Sequence, residues 1–379
     1  MKSIAQDIEA ARQRHAAHYR SVLADADELY LRGGDEIAQG LALFDMERAN
    51  IETGWSWAAE RAVADEAAAD LCLEYSYAGE CVLPLRQHPR ERVQWLEASL
   101  AASRKLKRRD TEGTELNRLG GAYFSMGENG RAIECFEKSL LIKRENGDRP
   151  GEGAALGNLG LAYLNLGETR RAIQFFEQHL AIARETLTRK VEGKALSNLG
   201  LAYSALGEPR RAIEFFDQRL VIALELGDRF GEGHALNGLG MSYASLGETR
   251  RAIEYFERSL VIWREMNDRA SEGDTLFNIG LAYLDLGELR RVIKCFEESL
   301  AINRETGNLP RESSLLRSLG NVCLELGEPK RAIEFYEQSL ASERELGNGR
   351  DESRVLDAMG MAYARLGEPG RAIEYYEQS

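Results

Sequence analysis

The stretch Gly151–Lys190, GEGAALGNLG LAYLNLGETR RAIQFFEQHL AIARETLTRK, decides the fold. Shifted along the chain by 40 residues, it meets itself. Gly120, Gly160, Gly200, Gly240, Gly280, Gly320 and Gly360 fall into register. So do Gly127, Gly167, Gly207, Gly247, Gly287, Gly327 and Gly367, each followed by glutamate. Ile133, Ile173, Ile213, Ile253, Ile293, Ile333 and Ile373 form a third set. Seven units therefore start near 111, 151, 191, 231, 271, 311 and 351, with no insertion between them. Self-similarity at such a period marks a solenoid of stacked supersecondary units.

Within the quoted unit, Leu156, Leu159, Gly160, Tyr163 and Leu166 recur at helical spacing, which predicts an amphipathic helix over 152–166. Glu152 sits in its first turn, where a carboxylate suits the dipole. Gly167 is placed to end the helix. A second apolar face follows in Ala172, Ile173, Phe176, Leu180 and Ala183. Pro209, Pro329 and Pro369 come just after the Gly-Glu turn, in the first turn of a second helix, where no N–H is needed. Gly147-Asp148-Arg149 and its equivalents turn the chain into the next unit. Each repeat thus holds two helices of roughly 15 and 18 residues, about 22 and 27 Å long. A glycine inside a helix, such as Gly160, costs about 1 kcal/mol against alanine. Its recurrence in seven units asks for a packing reason; close approach of the partner helix at the small Ala172 is the expected one. Val292 in place of that alanine, and Cys323 in place of the Tyr163 equivalent, predict local repacking only.

These residues carry a resemblance. The pattern Leu156-x-x-Leu159-Gly160-x-Ala162-Tyr163, Gly167-Glu168, Ala172-Ile173-x-x-Phe176 and Leu180 resembles the tetratricopeptide repeat (TPR). The 40-residue form, with Asn-Leu-Gly in the first helix and Gly-Asp-Arg between units, is similar to the Pins-like G-protein-signalling modulators and to bacterial tetratricopeptide arrays. The resemblance covers 111–379, the last unit being truncated at Ser379. It implies an all-α fold, a right-handed TPR superhelix (an α-solenoid of helix-turn-helix repeats), used to hold protein segments. An array ending midway through a repeat predicts an uncapped C-terminal end, where self-association is possible.

Upstream the register persists once more. Val93, Trp95, Leu96 and Leu100 precede Ile133, Cys135, Phe136 and Leu140 by 40 residues, so 71–110 reads as a degenerate repeat turning around Pro84–Pro89. Residues 1–70 read as a helical N-terminal cap of two helices. One spans about 3–29, with Ile4, Ile8, Ala11, Tyr19, Val22 and Leu29 on one face. The other spans about 35–60, with Ile37, Leu41, Phe44, Ile51 and Trp55. Three stretches here, His15-Ala16-Ala17-His18-Tyr19, Gly40-Leu41-x-x-Phe44-Asp45 and Trp57-Ala58, resemble the junction before the repeats of bacterial STAND-type signalling ATPases. That resemblance implies a sensor arm or a fragment of one. No G-x-x-x-x-G-K-[ST] phosphate loop is present, so nothing catalytic carries over.

Composition narrows the function. Of the residues, 44% are hydrophobic and 29% charged, which reads as soluble and folded. No apolar run reaches the ~18 residues of a membrane span, and no apolar stretch of signal-peptide kind opens the chain, so the expected compartment is the cytoplasm. A net charge of −13 speaks against nucleic acid, despite the basic run Arg104-Lys105-Leu106-Lys107-Arg108-Arg109, which sits where a helix C-terminus favours cations. The five cysteines (Cys72, Cys81, Cys135, Cys295 and Cys323) form no disulfide framework and no zinc spacing. Cys135 and Cys295 occupy a place where other units carry Phe or Tyr, and read as small apolar fillers. His15 and His18 lack a third metal ligand nearby. No cofactor, metal or catalytic constellation is expected, and the chain reads as no enzyme.

Two candidate surfaces remain. By resemblance, the first helix of each repeat lines a groove for a peptide or partner helix. One row there holds Leu161, Leu201, Met241, Leu281, Asn321 and Met361. Another changes at every step: Ala154, Lys194, His234, Asp274, Ser314 and Arg354. Amides and a cation flank them at Asn158, Asn198, Asn237, Asn278 and Arg317. The competing reading is that Leu161 and its equivalents pack as core. The second surface is a ridge of Arg170-Arg171, Arg210-Arg211, Arg250-Arg251 and Arg290-Arg291, each pair opening a second helix against its dipole. Those arginines either pair with acidic neighbours, Glu214 and Glu254 among them at i+4, or await an acidic partner.

Overall fold

Each 40-residue period becomes a hairpin of two α-helices in the computed structural model, which describes residues 2–347 and 349–379. All the regular structure among the described residues is helical. The N-terminal elements are α1 (Lys2–Arg32), α2 (Glu36–Arg61), α3 (Glu66–Ala78), α4 (Val82–Arg86) and α5 (Pro89–Lys105). The hairpins follow: α6 (Arg109–Ser125) with α7 (Asn129–Glu145), α8 (Arg149–Asn165) with α9 (Thr169–Glu185), and α10 (Arg189–Ala205) with α11 (Pro209–Leu226). Then come α12 (Arg229–Ser245) with α13 (Thr249–Met266), α14 (Arg269–Asp285) with α15 (Leu289–Glu305), α16 (Leu309–Glu325) with α17 (Pro329–Leu346), and α18 (Gly349–Leu366) with α19 (Pro369–Gln378). The chain forms two compact units, Met1–Thr188 and Arg189–Ser379.

Apart from α18 and α19, both helices of a hairpin are 17 or 18 residues long, so the first, or A, helix is longer than its apolar spacing suggested. The added turn comes from Arg149-Pro150-Gly151 and its equivalents. Asp148 caps α8 by accepting the Gly151 N–H at 2.9 Å. At the other end Gly167 takes φ +78°, and the N–H groups of Gly167 and Glu168 return to Leu164 and Tyr163 at 3.0 and 2.9 Å. This is a Schellman closure, which satisfies carbonyls the helix would leave open.

The helical glycines have a different partner from the expected one. A Cβ on Gly120 would lie 2.5 Å from the Phe136 ring, and one on Gly200 or Gly240 2.7 or 2.6 Å from Phe216 or Phe256. Phe176 blocks Gly160 in the same way. The close approach is therefore of an aromatic ring on the second, or B, helix, not of Ala172, although that alanine is also fully buried. Val292 and Cys323 are fully buried in unbroken helices.

Ion pairs repeat with the period. Glu152, buried between helices, meets Arg144 at 2.7 Å and also Arg149, which reaches Glu185 as well. Glu272 meets Arg264 at 2.8 Å and Arg269 at 2.5 Å. Charged pairs here therefore often span helices.

The N-terminal region is helical, with a correction. In α1 the buried stripe is Ala16, Leu23 and Ala26, whereas Ile4 and Ile8 are 65% and 50% exposed. Trp55 of α2 stacks on Trp95 of α5 with ring centroids 4.5 Å apart. The expected turn at Pro84–Pro89 holds a short helix, α4, whose first N–H groups at Cys81 and Val82 go to the buried Asp27 carboxylate, both at 2.8 Å. In the basic run, Arg104 and Arg109 both hold Glu112, and Arg108 holds Asp70.

Candidate peptide-binding face

Within the units, A helices of successive hairpins touch at four places: α6 with α8, α10 with α12, α12 with α14, and α16 with α18. Among the described residues no two B helices come as close. The A helices therefore carry the more tightly curved surface. Residues two apart on a helix point about 200° apart. Leu199, Leu239 and Ile279 thus enter the core at 0%, 0% and 4% exposure, while Leu201, Met241 and Leu281 emerge on the A face at 46%, 44% and 40%. Asn321 and Met361 are exposed too, and in the first unit Leu161 is half-buried. The row lies at the surface, not in the core.

The changing row lies beside it. Lys194, His234, Asp274 and Arg354 are exposed, as is Ala154 in the first unit; Ser314 is half-buried. The amides form rungs between repeats. Asn158 donates to Asn117 at 3.0 Å, and Asn278 to Asn237 at 3.3 Å. Asn198 is half-buried. Asn321 is partly committed inward, accepting the Tyr336 hydroxyl at 2.6 Å. Arg311 meets Asp274 at 2.7 Å and lies 4.8 Å from the Phe277 ring centroid. Arg354 pairs with Asp351 at 2.9 Å. Arg317 is half-buried, and its Nε has no protein partner.

The structure adds Phe230, which sequence reasoning missed. It is 50% exposed in the first turn of α12, one turn before His234 and on the side that leads to Met241. The Phe230 and His234 rings lie 4.4 Å apart, and both stand edge-on to the buried Trp263 at 5.7 and 5.1 Å. Burial against these rings lowers the His234 pKa; Asp268 and Asp228 oppose that, and Arg219 adds to it. Position 230 is Lys190, Ala270 or Pro310 in sister repeats, so no regularity of the repeat marked Phe230.

The arginine ridge splits in two. Arg171, Arg211, Arg251 and Arg291 each return to the glutamate three residues earlier, at 2.8, 3.3, 3.4 and 2.9 Å. Each also lies over the tyrosine eight residues earlier, 4.0 to 5.1 Å from its centroid. That glutamate, not Glu214 or Glu254, offsets the charge. Arg170, Arg210, Arg250 and Arg290 are exposed and make no ion pair among the described residues.

The tetratricopeptide repeat family matches residues 110–185, 191–265, 231–305, 271–342 and 311–379. The chain belongs to the tetratricopeptide repeat family. The tetratricopeptide fold also aligns with solved structures of low identity. The apo form of the quorum sensor NprR from B. thuringiensis aligns with 98% of this chain and 98% of its own, at 16% identity and TM-score 0.61. Aspartyl phosphate phosphatase F from Bacillus subtilis aligns at 16% identity and TM-score 0.57, over 95% of this chain and 93% of its own. A STAND protein with a tetratricopeptide repeat sensor from Pyrococcus horikoshii aligns over 94% of this chain and 55% of its own, at 14% identity and TM-score 0.61. These likenesses show the fold. A comparison with curated protein sequences finds no match. Among the described residues no group of three or more His, Cys, Asp or Glu side chains is placed to hold a metal ion. Among them, too, no helix is long and apolar enough to cross a membrane. His15 and His18 both pack against Tyr19, at 4.6 and 4.9 Å.

Proposed function

We propose that this tetratricopeptide chain binds an extended peptide or a helix of a partner protein along its A-helix face, as a cytoplasmic scaffold or sensor arm and not as a catalyst. One observation carries the reading. Consecutive repeats place an apolar side chain (Leu201, Met241 and Leu281) at the same surface position, 40–46% exposed, where folding alone does not need it. A row of exposed apolar groups flanked by amides and changing charges suits an amphipathic ligand, and apolar surface of this kind marks interaction sites. The changing row of Lys194, His234, Asp274 and Arg354, joined by Phe230, would set specificity. The net charge of −13 favours a protein partner over nucleic acid. A narrower reading, the sensor arm of a STAND-type ATPase, is favoured by the alignment with the Pyrococcus horikoshii protein. The test is capture of partners from cell lysate by the wild-type chain and by Leu201→Glu/Met241→Glu/Leu281→Glu, with mass-spectrometric readout and circular dichroism of both. A protein held by the wild type and lost by a fully helical variant supports the reading. Equal retention by both overturns it.

A further inference from the structure

Four of the seven repeats share a ring pair that the Tyr283 repeat lacks. The A-helix tyrosine is stacked by a ring on the B helix: Tyr163 by Phe175, Tyr203 by Phe215, Tyr243 by Tyr255 and Tyr363 by Tyr375. The centroids are 5.2–5.3 Å apart and the planes within 6° of parallel. Those tyrosines are 4–6% exposed. In α15 the ring is replaced by Cys295, and Tyr283 is left half-buried. Cysteine alone does not open the place. At Cys135 the neighbouring Tyr123 stays 3% exposed, because Glu97 accepts its hydroxyl at 2.8 Å and Arg131 sits 3.9 Å from its centroid. Beside Tyr283 the corresponding Arg291 lies farther from the ring than Arg131 does, at 5.1 Å, and among the described residues the corresponding Glu257 accepts no hydrogen bond from the hydroxyl.

What remains is a cleft of about 270 Å³ between α13, α14 and α15. A dry cavity of ~150 Å³ is already enough to hold a benzene ring. Leu260, Leu276 and Ile279 form the floor, and Tyr283 and Cys295 the walls. The rim departs from its sister repeats as well. Lys294 stands where the others carry Glu134, Gln174, Glu214, Glu254, Glu334 and Glu374. It is exposed and makes no ion pair among the described residues, whereas Arg264 is held by Glu272 and Glu298, and Arg291 by Glu288. Two departures from the repeat, a missing ring and a reversed charge, thus coincide at one cleft.

We propose that this cleft binds the phenylalanine or tyrosine side chain of a partner peptide, the ring stacking on Tyr283 in the place of the missing Phe175 equivalent and a neighbouring carboxylate of the peptide meeting Lys294. Glu257 at the rim, which makes no ion pair among the described residues, limits the ligand to one such carboxylate, since an acidic run would meet a like charge. Binding is non-covalent: burial pushes the Cys295 thiol up to about 11, so it is not a thiolate at neutral pH. The site lies on the B-helix side of the second unit and stands independently of the A-helix face.

Calorimetry of the full chain with acetyl-aspartyl-phenylalanine amide tests this. Saturable binding is expected in the wild type. Cys295→Phe fills the cleft with an aromatic ring such as five of the six other repeats carry there, and is expected to weaken binding at least tenfold. Lys294→Glu, a charge that five of the six other repeats already carry, is expected to weaken it about fivefold and to remove its preference over acetyl-asparaginyl-phenylalanine amide. Should Cys295→Phe fail to fold, Lys294→Glu and the phenylalanine-to-alanine peptide decide the matter. No saturation of the wild type by 5 mM peptide, or equal binding by the filled or charge-reversed variant, overturns the proposal.

Discussion

At the scale of single residues, glycine does two jobs that the sequence alone does not separate. Gly120 and Gly121 are adjacent in α6, yet a methyl group on Gly120 meets the Phe136 ring at 2.5 Å and one on Gly121 meets nothing within 4 Å. Replacing Gly by Ala in a helix gains about 1 kcal/mol. Overpacking costs about 1–3 kcal/mol. Gly121→Ala is therefore expected to stabilise the chain by about 1 kcal/mol, and Gly120→Ala to destabilise it, as read by urea denaturation. Equal effects of the two would refute the ring contact. The recurrence of these glycines was plain in the sequence, but their partner was not. Ala172 and Phe176 lie on the same apolar face of α9, and spacing does not say which of them reaches across. Phe230 was hidden for another reason: position 230 has no rule in the repeat to be broken.

At the scale of elements, the turns between hairpins carry the strain and the pH dependence. Most of these turns place glycine at positive φ, but Lys107, Leu187 and Asn267 adopt φ 55°, 53° and 55°. The left-handed conformation costs a residue with a Cβ about 1–2 kcal/mol, and glycine gives back about 0.5–1 kcal/mol in chain entropy. Leu187→Gly is thus expected to raise stability by up to ~1 kcal/mol in thermal or urea unfolding; a loss would contradict the turn geometry. Asp148 is an acid-sensitive cap. The Lys143 ammonium, 2.8 Å away, pulls its carboxyl below the usual range, helped by the Gly151 N–H and opposed by burial. A depressed folded-state pKa stabilises above the unfolded value, near 4, and that stability is lost as pH falls through the folded value. Asp148→Ala is expected to cost about 1 kcal/mol at pH 7 and clearly less at pH 3, which paired urea titrations would show. A cost that does not change with pH would assign the effect to helix propensity. The helices were legible to within a turn. The short α4 was not, because its cap comes from Asp27, 54 residues upstream of Cys81.

At the scale of the whole molecule, the repeat was readable because every unit solves the same packing problem with the same residues. The α1 face was misread for the converse reason. Ile4 and Ile8 keep the apolar spacing of a packed helix, but nothing in a single helix says where its packing partner ends. For the A face, sequence left core and surface open, since Leu199 and Leu201 are both apolar; helix geometry separates them. Surface placement carries a stability prediction. Leu201→Glu, Met241→Glu and Leu281→Glu are each expected to cost within about 0.5 kcal/mol, whereas Leu199→Glu should unfold its repeat. The most direct test of the central claim is site-specific photo-cross-linking in cells, with benzoylphenylalanine placed at Met241 on the A face or at Glu214 on the B side. Discrete adducts with a partner protein from position 241, absent from position 214, are the predicted result. Adducts from position 214 alone would place binding on the other side of the repeats and contradict the account.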